Sequence, residues 1–575
     1  MRKKIVLGVC LLLAIAAGVI NFVEAKTTVS GESSGYETKR RPVLTQKMFS
    51  SPNKTYIIMK NYDLEGRTVE VPEGSTLVFK GGSINNGTVT LNSNTVIKGN
   101  NAICEASYDG LSHKSLFVAN EVENVKIYNL TIKGSYCGKN DGSVNPWSDK
   151  RYDAQNLLFI GNSRNVQIEG LKVTGFVNDN IGEKVNWEEK DRTNRGFAPV
   201  KIVNSVDVVI KNCSESKSSG EGWEFNFCER ITIDNLKIDR KYGVSSLNVA
   251  GCHNFTMRNS TFITENSIGD LVNVLAQDAL IENCNFKGGG FDVGNEFANR
   301  GYNRIKKESS KNVTITKCSF SREIRNESRI TKDMRQKMID NLKIVDNQFY
   351  LDASKNNLII ALYLGDSGNI GSVTFEGNTI EIKGSIKSGL DYFYQIIESY
   401  SQTYVVDSLL IRRNVIKDEA FTEENHYNSI VNRHLNGVVV ASNVNSLIIE
   451  NNEMVSCSGI NAETKVCFPN MIHRDIIIKN NNMSFVCQKQ ILDVMEDGDK
   501  KQKVNNFEFS GNICNSQRST GYMGGFSNVD SMVVENNTFR GNHGSFKVFE
   551  QSGNLKTLNN VGQPKIDGRF RRVVN

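Results

Sequence analysis

The run Asn312-Val313-Thr314-Ile315-Thr316-Lys317-Cys318-Ser319-Phe320 fixes how the rest of the chain is read. Its apolar residues Val313 and Ile315 alternate with polar ones, the period-2 pattern of a strand with one buried face. The same phrase recurs as NVKIYNLTI at 124–132, NVQIEGLKV at 165–173, SLIIENNEM at 446–454 and SMVVENNTF ending at Phe539. Aligned on its central apolar residue, the phrase occurs fourteen times, at 127, 168, 210, 233, 257, 281, 315, 344, 375, 411, 449, 478, 509 and 534. The shortest interval is 23 residues, and everything above it is insertion.

A second short alternating run, such as LLFI at 157, EFNF at 224, SLNV at 246 or LVNV at 271, precedes most copies. Two or three short strands per unit, in 575 residues with only 7 Pro to interrupt a ladder, predict an all-β parallel β-helix of about 14 or more rungs. The 69 Asn then have a place. Asn129, Asn212, Asn235, Asn259, Asn283, Asn451, Asn480 and Asn536 each fall two residues after the central position, where an amide tolerates a bent corner and bonds its equivalent one rung away. Cys213, Cys284 and Cys318 fall three residues after it, where other rungs carry Leu130, Leu171 and Leu236, and read as small stacked core residues. Cys228 and Cys252 fall at equivalent places on consecutive rungs, within reach of a disulfide.

Residues 1–25 join a basic start to an apolar run and a small-residue cleavage site, so they read as a secretory signal that exports the chain to the periplasm or beyond the cell. Residues 26–50 read as a linker, 51–110 as an N-terminal cap with the first coils, 111–565 as the helix, and 566–575 as a solvated basic tail. No later run reaches the ~20 apolar residues of a membrane span. Without the signal the formal charge falls from +6 to +4, too weak a field for a nucleic-acid partner. No Cys-x-x-Cys pair exists and the six His show no ligand spacing, so no cofactor is expected; acidic loops leave calcium open.

With these copies in view, the chain resembles the right-handed parallel β-helix proteins of the pectin lyase-like superfamily, over roughly residues 50 to 560. The resemblance implies an exported protein acting on a polysaccharide or oligosaccharide. The polygalacturonase-like series N-T-D, D-D, G-H-G, R-I-K is absent, so it implies the fold more strongly than the chemistry.

The residues offer three readings. In the first, a glycoside hydrolase, Glu221 and Asp270 share acid and base roles two rungs apart, with Glu224 as a nearer alternative partner. If Phe225, Phe227, Leu247, Val249, Val272 and Val274 point inward, then Glu224, Asn226, Ser246, Asn248 and Asn273 point outward, with Lys201 one rung earlier. Trp147, Trp187 and Trp223, the only Trp residues, lie in equivalent places on early coils and could stack on sugars or merely pack their own loops. Arg195, Arg240 and Arg300 could hold a substrate carboxylate. In the second reading, a lyase, Lys241 or Tyr242 removes a proton. In the third, a glycan-binding or structural protein, the same face acts without chemistry. The stretches from 322 and from 389 read as a charged loop or helix and a short packed helix.

Overall fold

The protein is described by a computed structural model. It covers residues 41–574 apart from 107–114, 135–155, 176–197, 219–220, 244, 268–269, 295–308, 327–336, 366–367, 388–391, 400–403, 422–436, 457–458, 462–473, 486–491, 495–503, 517–521, 527–528, 542–544, 549–551, 563–564 and 568–569. The chain divides at Pro42, and the unit described here begins at Val43.

One rung shows the plan. Leu158–Gly161 forms a first face, Arg164–Glu169 a second and Lys172–Thr174 a third, each pairing in parallel with its equivalent one turn earlier and one turn later. The first and second faces join into one large sheet, while the third is a separate sheet of 15 strands. The chain is a right-handed parallel β-helix. Its register carries the repeat without a break: Ile127, Ile168, Ile210, Ile233, Met257, Ile281, Ile315, Ile344, Phe375, Ile411, Ile449, Ile478, Phe509 and Val534 form one continuous row. All fourteen are buried. On the third face Phe262, Phe286, Phe320 and Phe349 stack in turn, with centroids 5.5, 5.0 and 5.1 Å apart. Stacked rings add packing contacts beyond the area that they bury.

The corner after the second face explains the recurring Asn. All eight of the residues from Asn129 to Asn536 named above have positive φ, between 50° and 57°. Other rungs place Gly170, Gly377 or Gly511 there, also with positive φ. Asn and Gly tolerate this left-handed backbone better than other residues. The amide ladder is present as well: Asn235 Nδ2 donates to Asn212 Oδ1 at 2.8 Å, and Asn283 Nδ2 to Asn259 Oδ1 at 2.7 Å.

A second Asn ladder lies one residue further on, inside the core, and the repeat did not reveal it. The interior position is filled by Leu130, Leu171, Cys213, Leu236, Cys284 and Cys318 on early rungs. From Asn347 it passes to Asn378, Asn414, Asn452, Asn481, Asn512 and Asn537, all buried. From Asn378 onward each Oδ1 accepts the backbone N–H and the Nδ2 of the preceding ladder Asn, as Asn452 does from Asn414 at 2.9 and 3.0 Å. Each Nδ2 also reaches back to a core carbonyl, Ile411 O at 3.0 Å in the case of Asn452. Replacing Asn452 with Ala therefore leaves several buried groups unpaired and is expected to destabilise by about 3 kcal/mol or more. Asn480→Ala, at the exposed corner, should cost only ~1 kcal/mol. Urea titrations of the two variants, compared with wild type, check the ordering.

Several expectations change. The segment read as a cap is built of regular coils: Thr55–Ile58 pairs with Thr76–Phe79, and Thr68–Val71 with Thr88–Leu91. The basic tail carries a strand where a loose end was expected, Phe570–Val574, whose backbone pairs with Ser552–Leu558. The aromatic stretch from 389 contains the strand Phe393–Ser399, with Tyr392 and Tyr394 buried, where a helix was expected. The charged stretch from 322 supplies the strand Ile324–Asn326. Cys228 and Cys252 are buried neighbours but free thiols, donating to the carbonyls of Ile202 and Phe225 at 3.4 and 3.3 Å. Burial and the neighbouring Cys228 push the Cys252 thiol well above its ordinary range. Among the described residues no helix is long and apolar enough to cross a membrane.

Candidate functional site

Side chains alternate in and out along each first-face strand, so parallel register turns every outward position into a row. One such row runs Phe159, Lys201, Glu224, Asn248, Asn273, Asp292, Arg325, Tyr363, Glu398, Val440. Phe159 and Val440 bound it with apolar groups, and everything between is polar or ionisable. Lys201, Glu224, Asn248 and Asn273 are thus brought together as their alternation predicts. Of the residues expected to point inward beside them, Phe225, Leu247, Val249, Val272 and Val274 do. Phe227 does not; it sits past the strand end with φ 55°.

Two clusters form on the row. In the first, Lys201 Nζ lies 3.1 Å from Glu224 Oε2, which Asn226 Nδ2 approaches at 3.5 Å. Asn273 Nδ2 donates to Asn248 Oδ1 at 2.8 Å and to Ser245 Oγ at 3.1 Å. Glu224 Oε1 and Asn273 Oδ1 are buried and accept no hydrogen bond from the described residues. In the second cluster a register shift between Asp270 and Val272 sets Asp270 against Gly290. Such bulges re-aim side chains. Arg325 forks across Asp270, with Nε 2.5 Å from Oδ1 and Nη2 2.7 Å from Oδ2. Arg322 Nε donates to Glu323 Oε2 at 3.3 Å. Gly290 lies between the two acids: a Cβ there would stand 3.0 Å from Asp270 Oδ1 and 3.1 Å from Glu323 Oε1. Because both oxygens approach one point so closely, they lie no more than about 6 Å apart. Asp292, beside this pair on the next strand, is fully buried.

Two expectations are corrected here. Trp223 is no stacking platform: it is fully buried, in register with Leu247 and Val272 on the inward side of the strand Glu221–Asn226. Strand alternation puts it there, since Glu224 beside it faces out. Arg240 does not face a substrate either. It is buried inside the coil in an ion pair with Glu215, and its Nη1 donates to Ser245 O at 3.3 Å. Glu215 itself pairs in register with the core residues Val173 and Ile238. Burial pushes its carboxyl above the ordinary range, against the opposing pull of Arg240, Ser218 and Trp223.

Other residues are only partly placed. The backbone of Glu221 pairs with Ser245 at the start of the first face, and its side chain lies outside the described residues. The backbones of Lys241 and Tyr242 lie in the third-face strand Lys237–Gly243, and their side chains too are outside the description. Trp147, Trp187, Arg195 and Arg300 lie wholly outside it. Among the described residues no three His, Cys, Asp or Glu side chains converge to hold a cation. The sequence reading missed Glu323, Arg325, Tyr363 and Glu398. For Arg325, Tyr363 and Glu398 the signal was the row itself, continued past Asn273 rung by rung.

The register defines a right-handed parallel β-helix. No protein family and no curated protein matches the chain. Among solved structures it is similar to a mutant tailspike protein of E. coli bacteriophage HK620 in complex with a hexasaccharide. That likeness has 12% identity over 78% of this chain and 71% of that one, with a TM-score of 0.39. It is also similar to the family 28 exopolygalacturonase of Yersinia enterocolitica, at 11% identity over 86% and 73% of the two chains and a TM-score of 0.28. Neither likeness bears on which residues of this chain act.

Proposed function

We propose that the chain is an exported glycoside hydrolase whose first face, from Lys201 to Glu398, holds a polysaccharide or oligosaccharide. The observation that supports this reading best is the convergence of Asp270 and Glu323 over Gly290, two carboxylates beside the polar row with the Arg325 guanidinium within 4.0 Å of both. Glycosidic cleavage needs such a pair, one as acid and one as base or nucleophile. Glu221 and Asp270, two rungs apart, would suit an inverting enzyme. The shorter gap between Asp270 and Glu323 favours a retaining one, for which carboxyl separations of about 5–5.5 Å are usual. In that case Asp270, oriented by the fork of Arg325, attacks the anomeric carbon while Glu323 protonates the leaving oxygen. Glu323 then activates the water that frees the sugar. Lys201, Glu224, Asn226, Asn248 and Asn273 bind neighbouring rings.

A lyase is the weaker reading, because its candidate bases Lys241 and Tyr242 belong to third-face backbone. Incubation with a broad glycan panel tests the assignment. The reading predicts new reducing ends, without the ultraviolet absorbance of an unsaturated uronate, and retention of anomeric configuration by NMR. Binding without cleavage of any glycan would instead support a binding protein.

A further inference from the structure

Between Phe159 and Val440 most side chains of the polar row are buried, whereas Lys201, Arg325 and Tyr363 are half-buried and reach solvent. Lys201 and Arg325 direct their charges at Glu224 and Asp270. Tyr363 is the aromatic member of the three, and it stands in register between Arg325 and Glu398. Gly365, two residues further along the chain and buried, shows how its ring lies. A Cβ built on Gly365 would stand 2.4 Å from Cε1, 2.4 Å from Cζ and 2.5 Å from Oη of Tyr363. A point equally far from these three bonded atoms, and further from each than a bond length, lies off the ring plane. The ring therefore turns a face, not an edge, to the glycine, and its opposite face is turned away from the backbone. An aromatic face is apolar and carries negative quadrupole density, so it matches the weakly positive C–H groups on the flat side of a sugar ring.

Resting on the glycan function proposed for this face, we propose that Tyr363 is a sugar-stacking residue, whose outward face takes the C–H side of a pyranose one rung beyond Arg325. Gly365 gives the ring room to lie flat. Asn248 and Tyr363 fall on opposite sides of Asp270 and Glu323 along the row, so sugars are held on both sides of the bond to be cleaved.

The test measures binding of oligosaccharides of glucose, galactose, N-acetylglucosamine and galacturonate to the full chain by calorimetry, and carries the tightest binder into variants. Tyr363→Phe keeps the ring face and should bind within about twofold of wild type. Tyr363→Leu keeps apolar bulk without that face and should bind about tenfold more weakly, the scale of losing one aromatic contact. Gly365→Ala drives a methyl group into the ring and should weaken binding although residue 363 is unchanged. In proton NMR the C–H signals of one sugar ring should move upfield on binding to wild type and lose that shift with Tyr363→Leu. Thermal midpoints measured in parallel separate these effects from misfolding, and the wild-type shift decides the matter for any variant that melts early. Unchanged binding in Tyr363→Leu and Gly365→Ala, or no upfield shift with wild type, would overturn the stacking role and leave the glycan site standing. A Phe variant as weak as the Leu variant would assign the loss to the hydroxyl and overturn it too. No binding of any oligosaccharide by wild type would remove both.

Discussion

Replacing Asp270 with Asn should lower glycan turnover by about 10²–10⁴-fold, the usual range for loss of a positioned catalytic carboxylate. Asn keeps the shape of the side chain and one of the two oxygens that Arg325 spans. It cannot act as nucleophile or base. Glu323→Gln should fall by a similar factor, and the double variant should be little worse than either single one, because the two groups act on the same bond as a unit. Binding affinity should change far less than turnover, since the sugar contacts proposed at Glu224 and Asn273 are retained. Initial rates and calorimetric affinities on the best panel substrate make the comparison. Unchanged turnover in both single variants would remove Asp270 and Glu323 from the chemistry.

The second large effect is structural. Arg240→Ala should cost about 3–5 kcal/mol, because it leaves the carboxylate of Glu215 buried and without its partner. The Ser245 carbonyl loses a hydrogen bond in the same step. Ser245 Oγ holds Asn273, so the damage extends to the row. A paired replacement, Glu215→Leu with Arg240→Met, should be near neutral, since well-packed apolar groups often replace a buried ion pair without loss. The sign of the pH effect follows from the raised carboxyl of Glu215. A raised acid stabilises the fold fully below its unfolded value near 4.5 and loses that contribution as pH rises through the folded value. Wild type should therefore lose stability relative to Glu215→Gln as pH increases from about 4.5. Chemical denaturation across pH checks both statements, and a slope of opposite sign would contradict the second.

The parts of the molecule that were legible in sequence are those where one physical requirement repeats on every turn. The buried central position must be apolar on each rung, so Ile127 to Val534 align in the sequence itself. The corner must tolerate positive φ, so Asn and Gly recur there. The outward row was legible from Lys201 to Asn273, where inward neighbours such as Phe225, Val249 and Val274 keep strict alternation. Beyond Asn273 the alternation fails. Tyr392, Tyr394 and Gln395 are all buried, so the strand Phe393–Ser399 has no polar face to betray it. Strand Ile324–Asn326 is only three residues long inside a run of charges. Glu323 and Arg325 were hidden for that reason.

The inner ladder from Asn347 to Asn537 was hidden differently. Its Asn residues follow the exposed corner Asn directly on several rungs, as in Asn451-Asn452 and Asn480-Asn481. Composition shows a surplus of amides, but it cannot divide them between an exposed left-handed corner and a buried hydrogen-bonded column. Trp223 misled for a related reason. A Trp in a short pre-strand reads as a loop anchor, whereas the interior beside Leu247 is wide enough to take the whole indole.

The central claim is that function resides on the first face, and a crystal structure with an oligosaccharide soaked into the Asp270→Asn variant tests it most directly. The account predicts sugar rings along the row between Lys201 and Glu398, with a glycosidic oxygen beside Glu323 and a ring hydroxyl or amino group on Glu224 Oε1. Sugar bound to the second or third face, with the first-face carboxylates untouched, would contradict it.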